Sequence, residues 1–170
     1  MSIKAQRAAQ KVLKSAGYNI PVDVEGIIQS YGIAVRSQPM EDSMSSMLVL
    51  RNGRAVIGVN QAHAPTRQRF SLAHELGHFL LHGKLPRVFL DEATIFFRDE
   101  HAAEGNDLEE IEANTFAAEL LMPENVLRQM IRQNPFDAFD ERAVQRLAAQ
   151  FDVSVQALTI RLTRLRLITA

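Results

Sequence analysis

Apolar positions repeat every three to four residues at both ends of the chain and alternate only in the middle. Ile3, Ala5, Ala8, Ala9, Val12, Leu13 and Ala16 follow helical spacing, and Gly17 supplies a stop. Residues 19–23 read as a linker and 24–31 as a short helix closed by Gly32, after which Ile33 and Val35 open a strand. The clearest β signal is next. Met47-Leu48-Val49-Leu50 and Ala55-Val56-Ile57-Gly58-Val59 flank Arg51-Asn52-Gly53-Arg54, and Asn-Gly is the strongest short hairpin turn. Beyond Pro65, Phe70, Leu72, Ala73, Leu76, Phe79 and Leu80 predict a helix over 66–82 that is buried on most sides. Residues 98–112 are acidic and contain Gly105-Asn106, which predicts a surface loop running into a helix over 108–121. That helix stops at Met122-Pro123, and 124–133 form another. Over 141–170, two periodic stretches join at Asp152-Val153-Ser154. There is no internal repeat.

Composition narrows the class. At 170 residues the chain is long enough for one domain with a core, and its apolar and charged fractions, 46% and 23%, exclude wholesale disorder. Nineteen Lys and Arg against twenty Asp and Glu argue against a surface built as a whole for nucleic acid. With no cysteine there is no disulfide framework, thiolate cluster or cysteine nucleophile. No apolar run is long enough for a membrane span. Lys4, Arg7, Lys11 and Lys14 are spread over the first segment without an apolar block, unlike a secretory signal, so a cytoplasmic protein is expected.

The chemistry gathers at His74-Glu75-Leu76-Gly77-His78, an H-E-x-x-H pattern inside a predicted helix. Residues four apart lie one above the other on a helix face, so both imidazoles can reach one metal ion. Glu75, beside that face, is placed to take a proton from water as a general base. A catalytic zinc site needs one more protein ligand. A third histidine six residues after the second is excluded, because that position is Lys84. His82 follows His78 by four, but three successive turns of a straight helix do not converge on one ion, so His82 reads as a neighbour of the site. Carboxylates of a later helix remain: Glu109, Glu110, Glu112 and Glu119. Of these, Glu112 shares a face with Phe116 and Glu119 at the head of an apolar helix, and Glu109 is the alternative.

Residues 69–82, RFSLAHELGHFLLH, followed by residues 112–123, EANTFAAELLMP, resemble the ImmA/IrrE family of metallopeptidases over roughly 22–123. The resemblance implies His74 and His78 as zinc ligands, Glu75 as catalytic base and Glu112, the glutamate of Glu-Ala-Asn, as third ligand. It implies an α+β fold with a mainly helical, zincin-like core and a small antiparallel sheet over 1–135. A C-terminal helical extension over 136–170 completes the expectation. One zinc ion is expected, with manganese or cobalt compatible with the same donors. His82, Asn114 and Glu119 are candidates to orient a ligand histidine, and His101 in the acidic loop is a weaker candidate for oxyanion stabilisation. The strand over 55–59 is either a substrate-pairing edge or a structural hairpin.

The C-terminal segment resembles a helix-turn-helix, with Ser154 as N-cap of its second helix. Arg161, Arg164 and Arg166 are candidates for phosphate contacts, but DNA binding is a minor expectation without a broader basic footprint. The leading function is a zinc-dependent, gluzincin-like metallo-endopeptidase. Its resembled relatives act in bacteria or phage on helix-turn-helix repressors, often encoded nearby, so a separate regulatory protein is the expected substrate and partner. The competing function is a catalytically silent, zincin-like module that binds a protein partner or DNA. Its setting would be a stress response or a toxin–antitoxin pair.

Overall fold

The architecture was obtained as a computed structural model and describes residues 2–83, 88–92, 106–133 and 140–168. Helices α1 (Ile3–Ala16) and α2 (Val24–Ser30) precede strands β1 (Ala34–Gln38), β2 (Met44–Arg51) and β3 (Arg54–Asn60). Helix α3 (Pro65–His82), strand β4 (Val88–Glu92) and helices α4 (Asn106–Leu121) and α5 (Glu124–Gln133) follow. Helices α6 (Glu141–Phe151) and α7 (Val155–Arg164) close the chain. The fold is the expected α+β type, dominated by helix.

Local chemistry accounts for most boundaries. Asn52 and Gly53 both take positive φ, 51° and 72°, as the tight β2–β3 turn requires. Ser2, Asp23, Asp140 and Ser154 each accept a hydrogen bond from a first-turn amide of the helix that follows. Helix α3 has no side-chain cap and starts instead on Pro65, whose missing N–H is no loss at that position.

The sheet is mixed rather than purely antiparallel, with strand order β1-β3-β2-β4. Strand β3 inserts between β1 and β2, parallel to the first and antiparallel to the second. Strand β4, which the hydropathy pattern did not predict, pairs antiparallel with β2. Residues 55–59 therefore lie on an interior strand with both edges occupied, so they cannot take a substrate by strand addition.

Helices α3 and α4 form the centre of the molecule, and α1 lies against α4. Every residue from Phe70 to His78 is buried, and so are Ala113, Phe116, Ala117, Leu120 and Leu121 opposite. Leu48 and Ile57 of the sheet and Phe151, Leu158 and Leu162 of the C-terminal helices belong to the same core. Burial of each large side chain of this kind contributes about 1.5–3 kcal/mol. Gly77 sets how near α3 and α4 come. A Cβ there would meet the Ala113 Cα and the Phe116 ring, each at 3.1 Å, so a larger residue would push the helices apart.

Candidate metal centre

The α3–α4 contact runs antiparallel, with His78 facing Glu110 and His74 facing Asn114. The Nε2 atoms of His74 and His78 lie 3.0 Å apart. Glu110 spans both: its Oε2 is 3.3 Å from His74 Nε2 and its Oε1 is 3.0 Å from His78 Nε2. One ligand atom from each of these three residues falls within 4.8 Å of the other two.

Glu112, expected as the third ligand, does not join them. Two residues along an α-helix turn the side chain by about 200°, so Glu110 and Glu112 cannot share a face. Glu112 points to α1, where it accepts hydrogen bonds from Lys4 Nζ at 2.6 Å and Ser2 Oγ at 2.9 Å. Burial alone would raise its carboxyl, but those two donors hold it below the usual range. The alternative ligand, Glu109, lies by His82, 3.9 Å from its Nδ1. His82 stands beside His78 and has Glu112 3.5 Å from its Nε2. It neighbours the cluster without entering it.

The three candidates for orienting a ligand histidine separate. Asn114 reaches His74, with Oδ1 3.1 Å from Nδ1. With an ion bound, an N–H donated there would leave the His74 Nε2 lone pair to the metal. Glu119 instead pairs with Arg161 of α7 and accepts from Gln10 Nε2 at 3.1 Å. His101 lies outside the described residues.

The surroundings suit a cation. Desolvation lowers the pKa of His78, partly opposed by the hydrogen bond to Glu110, and so favours the neutral imidazole a metal needs. Burial alone would raise the Glu110 carboxyl, but hydrogen bonds from His74 and His78 outweigh it and keep the group ionised. Glu110 is 46% exposed whereas the two histidines are buried. Two imidazole nitrogens and one carboxylate, with a second carboxylate next to the first histidine, fit a divalent ion that keeps an open position. That second carboxylate, Glu75, is wholly buried on the sheet side of α3, where its Oε1 accepts the Ser46 hydroxyl at 2.8 Å.

The sequence and the fold are both similar to those of known proteins. The model of the M78 peptidase family, described as the IrrE N-terminal-like domain, matches residues 28–163. The chain belongs to that family. In this IrrE-like chain the matched stretch holds α3, α4, α6 and nearly all of α7. The radiation response metalloprotease IrrE of Deinococcus radiodurans is 38% identical over 112 residues, which cover 64% of this chain and 30% of that protein. An immunity region protein of Bacillus phage phi105 is 40% identical over 79 residues, covering 46% of this chain and 44% of that one. The chain thus spans less than half the length of these relatives. Its fold also matches a Mycobacterium tuberculosis transcriptional regulator, with a TM-score of 0.67 over 94% of this chain and 46% of that one at 17% identity. The family is one of metalloproteases, and the IrrE-like chain carries a cluster fit for their metal.

Two features were hidden in the sequence. Glu110 was one carboxylate among four, and its signal was its phase: it sits on the α4 stripe continued by Ala113, Asn114 and Ala117, whose small residues mark the tight seam. Ser46 gave no signal beyond being the second of two serines in an apolar strand. In the C-terminal helices, Ser154 caps α7 as expected, but Arg161 is not a phosphate ligand. It is 2% exposed, pairs with Glu119 and donates from Nε to the Met122 carbonyl at 3.2 Å. Among the described residues no helix is long and apolar enough to cross a membrane.

Proposed function

We propose that the protein is a zinc-dependent endopeptidase, with His74, His78 and Glu110 as metal ligands and Glu75 as general base. The observation that carries this is the convergence of the three ligand atoms at the α3–α4 seam, next in sequence to a buried carboxylate held by the sheet. A divalent ion held there supplies a Lewis acid that lowers the pKa of water and polarises a peptide carbonyl. Glu75 takes the proton of the attacking water and returns it to the leaving nitrogen as the C–N bond breaks. Asn114 fixes the tautomer of His74, and the buried floor of α3 and α4 excludes bulk water beneath the histidines. Zinc is the proposed ion, and manganese and cobalt suit the same donors.

The proposed substrate is a separate regulatory protein, a helix-turn-helix repressor or antitoxin-like partner. In support, one relative is an immunity region protein of a phage and another a radiation response metalloprotease. DNA is not proposed as a ligand, since Arg161 is spent inside the fold. The test is elemental analysis of wild type, His78→Ala, Glu110→Gln and Glu112→Gln purified together. About one zinc per chain is expected in wild type and Glu112→Gln, as catalytic sites of this kind hold a single ion. Loss is expected in the other two. Absence of metal in every sample after zinc is supplied overturns the assignment.

A further inference from the structure

We propose that Ser46 is a positioning residue for Glu75, holding the base carboxylate in the orientation that proton transfer requires. This rests on the peptidase reading above and adds a residue of the sheet to the site. Ser46 and Glu75 are each wholly buried, and the serine hydroxyl donates to Glu75 Oε1 at 2.8 Å.

The backbone around Ser46 is arranged for this contact. The pairing of β2 with β4 steps from Met44↔Glu92 to Ser46↔Asp91, two residues on one strand against one on the other, which marks a bulge at Ser45. Bulges re-aim side chains that a regular strand would point to alternate faces. Here Ser45 and Ser46 are consecutive and both are buried. Ser45 Oγ accepts a hydrogen bond from Arg67 Nη2 at 3.0 Å, and Ser46 Oγ donates to Glu75, so both hydroxyls fasten β2 to α3 two turns apart. Strand β2 is interior, flanked by β3 and β4, which fixes the donor in space. A glutamate side chain has three rotatable bonds before its carboxylate. A charge-assisted hydrogen bond from a fixed strand selects one orientation among many. A hydroxyl serving only to fill the core would not need to meet the one glutamate that lies between the two ligand histidines in sequence.

The assignment is tested by the affinity of cobalt-loaded protein for acetohydroxamate, read from the visible absorption of the cobalt. This small chelator binds the metal through its oxygens and shares a hydrogen bond with the neighbouring carboxylate, so it reports the placement of Glu75 without a substrate. Ser46→Ala is expected to bind it about tenfold more weakly with full metal content, the worth of one hydrogen bond to a charged group. Ser46→Thr, which keeps the hydroxyl, is expected to restore most of the affinity. On a Glu75→Gln background, Ser46→Ala is expected to cost little more, because the serine acts through Glu75. If Ser46→Ala does not fold, Ser46→Cys, of similar shape and a weaker donor, carries the same comparison. Unchanged affinity in the folded variant overturns the proposal, as does an equal loss on both backgrounds. Loss of cobalt itself would make Ser46 part of the metal-holding scaffold and overturn it too. A wild-type chain that takes up no metal overturns the peptidase reading, and this assignment with it.

Discussion

Helix α4 carries a carboxylate near each of its ends, and the two ends are resolved differently. Near Glu110, two histidines face one carboxylate that is still half open to solvent. Near Glu119, the carboxylate meets the Arg161 guanidinium with both side chains sealed, 1% and 2% exposed. The second end is matched within the protein. The first gathers electron-pair donors around a point where a cation fits. The difference separates a structural pair from a site: both cost desolvation, offset at Glu119 by a sealed guanidinium and at Glu110 by two imidazoles that can also face a cation.

The largest effect is expected at the closed end. Arg161→Ala leaves Glu119 buried without its guanidinium and is expected to cost about 3–5 kcal/mol in urea unfolding. Replacing both residues with apolar ones of similar volume is expected to recover most of that loss. If Arg161→Ala proves neutral, the closed end is not a structural pair and the contrast fails. At the open end, Asn114→Ala is expected to weaken metal affinity about 10–100-fold, by loss of the hydrogen bond that orients His74. The stability of the metal-free chain is expected to move by no more than about 1.5 kcal/mol in the same variant. Gly77→Ala bears on the open end, since the added Cβ would crowd Ala113 and Phe116 of α4. Overpacking of about 1–3 kcal/mol, less about 1 kcal/mol gained in helix propensity, leaves a modest net loss in thermal unfolding and a weaker metal site. The smallest effect is expected from Lys4→Met. The lysine is 57% exposed, so its pair with Glu112 is worth less than about 1 kcal/mol, and zinc content is expected to stay as in wild type. A loss of zinc there would show that the Glu112 side of α4 feeds the metal after all.

What could be read before the structure followed from periodicity and local chemistry. Helix α3 and the Asn52-Gly53 hairpin announce themselves through spacing and a turn with one good solution. The link between α6 and α7 is equally plain because Ser154 caps its helix and Asp152 takes a left-handed turn. What stayed hidden depends on partners distant in the chain. The insertion of β3 beside β1 is a choice of neighbours, and alternating apolar residues fit either edge. Which of Glu110 and Glu112 stands beside the histidines depends on the rotation of α4 about its axis, and Glu112 turns instead to Lys4 of α1 and to Ser2, its N-cap. Arg161 looked like a surface cation because charge patterns carry no record of a buried glutamate 42 residues away.

The ligands of the proposed centre are divided, two on α3 and one on α4, so an ion bound there would cross-link helices from separate parts of the chain. Metal occupancy and folding then draw on one equilibrium. At a free zinc concentration 100 times the dissociation constant, the folded state would gain about 2.7 kcal/mol, and a chelator would withdraw it. The melting temperature of this protein would therefore track the zinc around it, and the stability of the chain would be set partly by the composition of its medium.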